Sequence, residues 1–309
     1  MDGERLADPA YTFRDSKSRE DDLMAAVDWA MTELRVDGVR SPILVGGSST
    51  TETAVVCVHG NPGTASDWEP LIGPVSAFTR IVAPSMPGYG DADKPNDFDY
   101  SAQGYARHLG GILDGLGVRR VHLVMHDLGG PWGLAWAALH PSDLASLTMV
   151  SIGVLPGYRW HRFARLYRIP VLGELVLAGA SRSAVSWALR LGSRRAMPAA
   201  FVDSVLDQYH DAGTRRAVLR FYRATPDLGA VTVRAATALR GADPPTLVIW
   251  GAGDPYVPVR FAHMQPEFFR RSEVVILPDS GHWPLVDDPG SVVALVVRFL
   301  REQIARDDP

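Results

Sequence analysis

Asp127 occupies the position in this 309-residue chain best suited to chemistry. It follows the apolar run Val121–Met125 and His126, and Leu128-Gly129-Gly130-Pro131 comes directly after it. A strand that turns sharply into a helix start, through glycines and with proline in the first helical turn, lifts the residue at the turn above the sheet edge. A carboxylate held there can attack an electrophilic carbon and form a covalent ester. The Leu128 N–H, at the helix start, is placed to stabilise the oxyanion that forms when that ester is hydrolysed. Taken alone, Asp127 also reads as a helix N-cap.

Three further segments bear on that choice. His59-Gly60-Asn61-Pro62 follows the run Ala54–Val58, and the Asn61 N–H is the expected second oxyanion donor, with Pro62 holding the turn through a cis bond. Gly251-Ala252-Gly253-Asp254-Pro255 follows Thr246–Trp250, and Ser280-Gly281-His282-Trp283-Pro284 follows Glu273–Leu277. Each of these alone is also an ordinary turn. In chain order, however, Asp127, Asp254 and His282 read as nucleophile, acid and base, each just past an apolar run, where α/β sheets place their chemistry.

The elements that must position them alternate. Short apolar runs at Ala54–Val58, Arg80–Ala83, Val121–Met125, Leu144–Ile152, Thr246–Trp250 and Glu273–Leu277 predict strands buried on both faces. Helical patterns at Ser101–Leu116, Gly133–Leu139, Pro258–Arg270 and Pro289–Ala305 lie between most of them, so the fold class is α/β with a mostly parallel sheet. Leu34–Val39 and Pro42–Val45 predict a leading hairpin, and Asp21–Met31 a short helix. Residues 153–243 carry no clear strand but contain helical segments at His161–Tyr167, Ala184–Leu191 and Arg215–Arg223. Too long for a loop, this stretch is expected to be a helical cap. The expected organisation is an N-terminal extension at 1–30, a core at 31–152 and 244–309, and the cap at 153–243.

Composition narrows the class of function. With 31 basic and 35 acidic residues and no long basic run, no nucleic-acid partner is expected. The single cysteine, Cys57, lies in an apolar run and is expected in the core, which fits a cytoplasmic protein. The N-terminus lacks an apolar signal segment, and no apolar stretch is long enough to span a bilayer, so no membrane partner is expected. The histidines form no HExxH pattern and no cluster at zinc-ligand spacing, so neither a metal nor an organic cofactor is expected. A homodimer is left open.

From about Leu34 to the C-terminus the chain resembles the α/β-hydrolase superfamily. Its HGNP, HDLGG, GAGDP and GHWP segments, with the loop Pro87–Pro95, resemble the epoxide hydrolase and haloalkane dehalogenase branch, whose nucleophile is Asp. The resemblance implies an eight-stranded sheet with an inserted helical cap. It further implies two cap tyrosines that protonate an epoxide oxygen. Tyr222, in Arg220-Phe221-Tyr222-Arg223, matches one, with Arg220 where the branch carries asparagine. Tyr167 is the expected partner and Tyr158 its reserve; Trp283 and Tyr158 are expected to touch substrate. The implied reaction is hydrolysis of an epoxide to a vicinal diol through an ester on Asp127, released by a water that His282 activates with Asp254 behind it. A dehalogenase with the same triad is the alternative. Asn61 fits it, whereas Leu128 stands where that subgroup carries a halide-binding tryptophan. A ligand-binding hydrolase fold without catalysis is the reading from another class, and the full Asp-Asp-His set argues against it.

Overall fold

Aliphatic and β-branched residues supply the strands of one eight-stranded sheet, seen in a computed structural model that describes residues 29–307. The strands are β1 (Trp29–Val36), β2 (Val39–Gly46), β3 (Thr53–Val58), β4 (Arg80–Pro84), β5 (Arg120–His126), β6 (Leu144–Val150), β7 (Thr246–Gly251) and β8 (Ser272–Leu277). Their order across the sheet is β1-β2-β4-β3-β5-β6-β7-β8. β2 runs antiparallel to both β1 and β4, and all other pairings are parallel. The fold is thus the α/β-hydrolase architecture that the family resemblance implied, and the mostly parallel sheet that the alternating pattern predicted.

The helices are α1 (Glu69–Ser76), α2 (Ala102–Gly115), α3 (Gly129–Leu139), α4 (Arg162–Tyr167), α5 (Leu172–Ala178), α6 (Arg182–Leu191), α7 (Ala199–His210), α8 (Ala212–Ala224), α9 (Leu228–Leu239), α10 (Arg260–Met264), α11 (Pro284–Asp287) and α12 (Pro289–Asp307). Alternate residues of β3 divide between two cores. Ala54, Val56 and Val58 face Leu109 of α2, Trp132 of α3 and Phe261 of α10, while Val55 and Cys57 face Leu71 of α1 and Val296 of α12. Side chains alternate across a strand, so a central strand covered by helices on both faces must be apolar at every position. Cys57 is fully buried, as expected.

Helices α4 to α8 all come from the long insertion between β6 and β7, and α9 then packs along α3. The expected helix over Asp21–Met31 is not found where it is described: Trp29–Met31 pair in β1 with Leu44–Gly46, and the rest of that segment lies outside the described residues. The hairpin turns at Asp37-Gly38, both with positive φ, the geometry that matches strand twist. Helix α1 was not legible, because Pro70, Gly73 and Pro74 interrupt its pattern. The helical stretch expected over Pro258–Arg270 shortens to α10 and a 3-10 turn at Gln265–Glu267.

Candidate active site

Parallel strands deliver their C-terminal ends to one edge of the sheet, and the chemistry-bearing residues gather there. β5 ends at His126, α3 begins at Gly129, and Asp127 in the turn between them has φ of 46°. Few residues other than glycine accept that conformation, and Asp is one of them. The turn is tight enough to demand glycine beside it. A Cβ on Gly129 would lie 2.1 Å from the Val58 carbonyl oxygen. A Cβ on Gly60 would lie 2.4 Å from that of Asp127.

The loop after β3 folds back over the carboxylate. The Asn61–Pro62 bond is cis, and the Asn61 N–H donates to Asp127 Oδ2 at 2.8 Å. His59 fixes this loop: its Nδ1 bonds the Gly60 carbonyl at 2.9 Å, and its Nε2 accepts from the Met86 N–H at 2.9 Å. Leu128, the N-cap residue of α3, is buried next to the nucleophile.

The other oxygen, Asp127 Oδ1, lies 3.4 Å from His282 Nε2. His282 Nδ1 stands 2.7 Å from Asp254 Oδ2, and Asp254 Oδ1 accepts from the Tyr256 and Val257 N–H groups at 2.8 and 2.9 Å. All three side chains are buried. Burial opposes the imidazolium form of His282, but Asp254 and Asp127 outweigh it and hold its pKa well above the ordinary imidazole range. Burial likewise opposes ionisation of Asp127; hydrogen bonding and charge from His282, with the Asn61 N–H, hold it below the ordinary carboxylate range. The two shifts run in the same sense, each favouring a carboxylate beside an imidazolium.

Over this edge the cap encloses a cavity of about 190 Å³. Asp127, His282, Asn61, Tyr222, Tyr167 and Trp283, all expected at the site, lie on its wall. The Tyr222 hydroxyl is 3.5 Å from Asn61 Nδ2, and its ring is 5.5 Å from that of Tyr167. Burial raises the pKa of both tyrosines, Tyr167 to about 12, so both hydroxyls remain donors. Tyr158, expected to touch substrate, is not on the wall. Its hydroxyl donates to the Tyr256 carbonyl at 3.0 Å and ties the start of the cap to the loop that carries Asp254.

Several wall residues escaped the sequence. His161 caps α4, its Nδ1 accepting from the Ala164 N–H at 3.4 Å, and burial lowers its pKa to about 4. It is therefore neutral with its proton on Nε2, a donor on the wall. Tyr209 of α7 and Tyr256 also line the cavity, the latter with its hydroxyl bound to the Ala188 carbonyl. Behind the nucleophile, His126 Nε2 bonds the His282 carbonyl at 2.8 Å. The His-Asp pair was the one local signal available for it. Among the described residues no group of His, Cys, Asp and Glu is arranged to hold a metal ion.

Comparison with known proteins bears on the family. The family model described as alpha/beta hydrolase fold matches residues 53–289. A haloalkane dehalogenase of Mesorhizobium japonicum is 31% identical over 236 residues, covering 71% of this chain and 74% of that protein. A cis-3-alkyl-4-alkyloxetan-2-one decarboxylase of Xanthomonas campestris is 29% identical over 297 residues, covering 88% and 97%. The Cif epoxide hydrolase structure from Acinetobacter nosocomialis shares the fold, with a TM-score of 0.76 at 19% identity over 90% of each chain. The chain belongs to the α/β-hydrolase fold family, in the branch that holds epoxide hydrolases and haloalkane dehalogenases.

Proposed function

We propose that the protein hydrolyses an epoxide to a vicinal diol through an ester on Asp127. The observation that carries this reading is the pairing of a buried carboxylate nucleophile with hydroxyl and imidazole donors on the opposite, cap side of one cavity. Asp127 Oδ1 attacks an epoxide carbon and the C–O bond breaks. Negative charge then develops on the oxygen, and Tyr222, with Tyr167 or His161, donates to it. Donors already placed where charge appears lower the barrier because they gain strength toward the transition state.

The resting imidazolium carries one proton more than a free base. Ester formation removes the Asp127 charge and with it part of what holds that proton on His282. The alkoxide of an opened epoxide takes its proton from the cap tyrosine that bonds it, and the phenolate left behind is reprotonated through solvent by the proton that His282 gives up, so the first half-reaction leaves His282 neutral and ready to act as base. His282 then takes a proton from water, and the hydroxide adds to the Asp127 carbonyl carbon. The Asn61 and Leu128 N–H groups hold the oxyanion, the C–O bond breaks, the departing diol oxygen takes the hydroxyl proton from the Asp127 carboxyl group, and the resting ion pair returns. A halide needs no such proton, so that reaction must shed one to solvent before water is activated.

Haloalkane hydrolysis is the second reading. Asn61 Nδ2 on the cavity wall and the Mesorhizobium relative favour it; Leu128, with no side-chain donor, does not. One assay separates them. The enzyme is given styrene oxide or a bromoalkane in weakly buffered solution, with diol, halide and pH followed together. Diol without net acid release is the expected result. Halide with one proton released per turnover, and no diol, overturns the epoxide reading. A catalytically silent binding module would yield neither.

A further inference from the structure

We propose that the first half of the cap is a docking face for an anionic lipid surface, through which the cavity takes an apolar substrate. Between Arg159 and Arg195 the chain holds eight arginines and one acidic residue, Glu174, although the whole chain is net negative at -4. Glu174 is already paired with Arg223. Among the described residues Arg159, Arg162, Arg165, Arg190, Arg194 and Arg195 are exposed and form no ion pair.

Large apolar side chains are interspersed with these arginines along the same stretch of chain. Ile169, Val171, Leu172, Leu175, Trp187 and Leu191 are all exposed, Val171 to 69%, Leu175 to 65% and Trp187 to 59%. Leu172 and Leu175 share a face of α5. Trp187, Arg190 and Leu191 share a face of α6, since side chains three and four apart are neighbours on a helix. Val171 adds to the pattern. Its φ of 68° is unfavourable for a β-branched residue, and its side chain is directed to solvent.

The cavity ties this face to the site. Its polar wall is formed by Asp127, His282 and the tyrosines. Its apolar wall includes Val176 and Leu177 of α5, Val185 and Leu189 of α6, and Val205 of α7. Trp187 belongs to both, exposed on the surface and part of the cavity wall, with its ring 6.2 Å from Phe163 of α4. An apolar cavity wall that reaches the surface at Trp187, on a cap segment carrying exposed Leu and Val and unpaired arginines, has the chemistry of an interfacial surface, with apolar side chains for the acyl boundary and cations for acidic headgroups. No helix among the described residues is long and apolar enough to cross a membrane. The expectation of no membrane partner rested on that criterion, which does not see a surface contact.

Vesicle sedimentation tests the proposal without any turnover, so its failure is separate from failure of the proposed reaction. The full chain is mixed with sucrose-loaded vesicles of phosphatidylcholine alone or of phosphatidylcholine with phosphatidylglycerol. Binding about tenfold tighter to the anionic vesicles, released by salt, is expected. Leu175→Glu and Arg190→Glu should each weaken it about fivefold or more, while Arg271→Glu, outside the cap, leaves it unchanged. Thermal melts confirm that each variant is folded. No binding to anionic vesicles overturns the proposal, as does an equal loss in Arg271→Glu. So does a dimer in sedimentation equilibrium that Leu175→Glu splits, which would assign the face to a second copy.

Discussion

The His282 backbone N–H donates to the carbonyl of Gly192 at 2.6 Å, so the proposed base hangs from the C-terminal end of cap helix α6. Ser193 and the buried Asp287 reinforce the junction, with Asp287 also accepting from the Gly281 N–H at 2.6 Å. A Cβ on Gly192 would come within 2.4 Å of the Trp283 ring and 2.5 Å of the Tyr256 ring. Gly192→Ala must therefore displace two cavity-wall aromatics that flank His282. The expected result is a drop in kcat of about tenfold or more, because small misplacements of a catalytic group are costly. Steady-state rates with a thermal melt check this. An unchanged kcat would show that the contact does not position the base.

Removing the base isolates the first half-reaction. His282→Gln keeps the side chain polar but cannot take a proton from water, while Asp127, with the Asn61 N–H on Oδ2, is still able to attack. Intact-protein mass spectrometry after incubation with an epoxide substrate should show one added substrate mass, located on the peptide carrying Asp127. Asp127→Asn should show none. An unmodified His282→Gln protein would remove the covalent mechanism.

Tyr222 is predicted to act on the ring-opening step. Its hydroxyl lies by Asn61 Nδ2 at 3.5 Å, and when it accepts from that amide its own proton is free for substrate. Tyr222→Phe should slow single-turnover ester formation about 100-fold, the usual cost of one lost oxyanion donor, with the hydrolysis of preformed ester nearly unaffected. Equal slowing of both halves would mean that the ring packs the site and does not protonate the substrate.

What was legible in the sequence had local causes. A strand end followed by a glycine turn marks Asp127, and the same logic marks Asp254 and His282, because parallel strands bring their C-terminal ends to one edge whatever lies between. The cap was legible as a long strandless stretch but not in its inward-facing residues. His161 reads as an ordinary residue before a short helix, and nothing local marks it as one that lines the cavity. Tyr209 is one aromatic among many on α7, and nothing in its spacing distinguishes it from a packing residue. Tyr158 had the right position in the chain for a substrate contact, yet its hydroxyl is spent on the Tyr256 carbonyl.

Gly60→Ala tests how tightly the nucleophile is enclosed. Its Cβ would meet the Asp127 Cβ at 2.4 Å and Oδ2 at 2.6 Å, so either the Asn61 loop or the carboxylate must move. Both outcomes break the hydrogen bond from the Asn61 N–H, and activity should fall at least 100-fold. The measurement is kcat beside a circular-dichroism spectrum. Wild-type turnover would mean that the loop does not serve the oxyanion.

The acid side of the stability profile should be set by histidines that fold uncharged. Burial lowers the pKa of His59, His108, His126 and His161 to about 4. In the unfolded chain each returns to about 6.5. Between these values the unfolded state binds protons that the native state refuses, so stability falls as pH drops from about 6.5 toward 4, and these groups add no further slope below that. His282 acts at the other end. Its raised pKa contributes stability that is complete below about 6.5 and is lost as pH rises through its folded value. His108 separates stability from catalysis, since its Nε2 is bonded to Ser41 Oγ at 2.9 Å beneath the hairpin, away from the triad. Urea melts of His108→Gln from pH 7 to 4 should show a shallower loss of stability than wild type, by about 1–3 kcal/mol across the window. Parallel pH profiles for the two proteins would mean that His108 becomes charged in the native state.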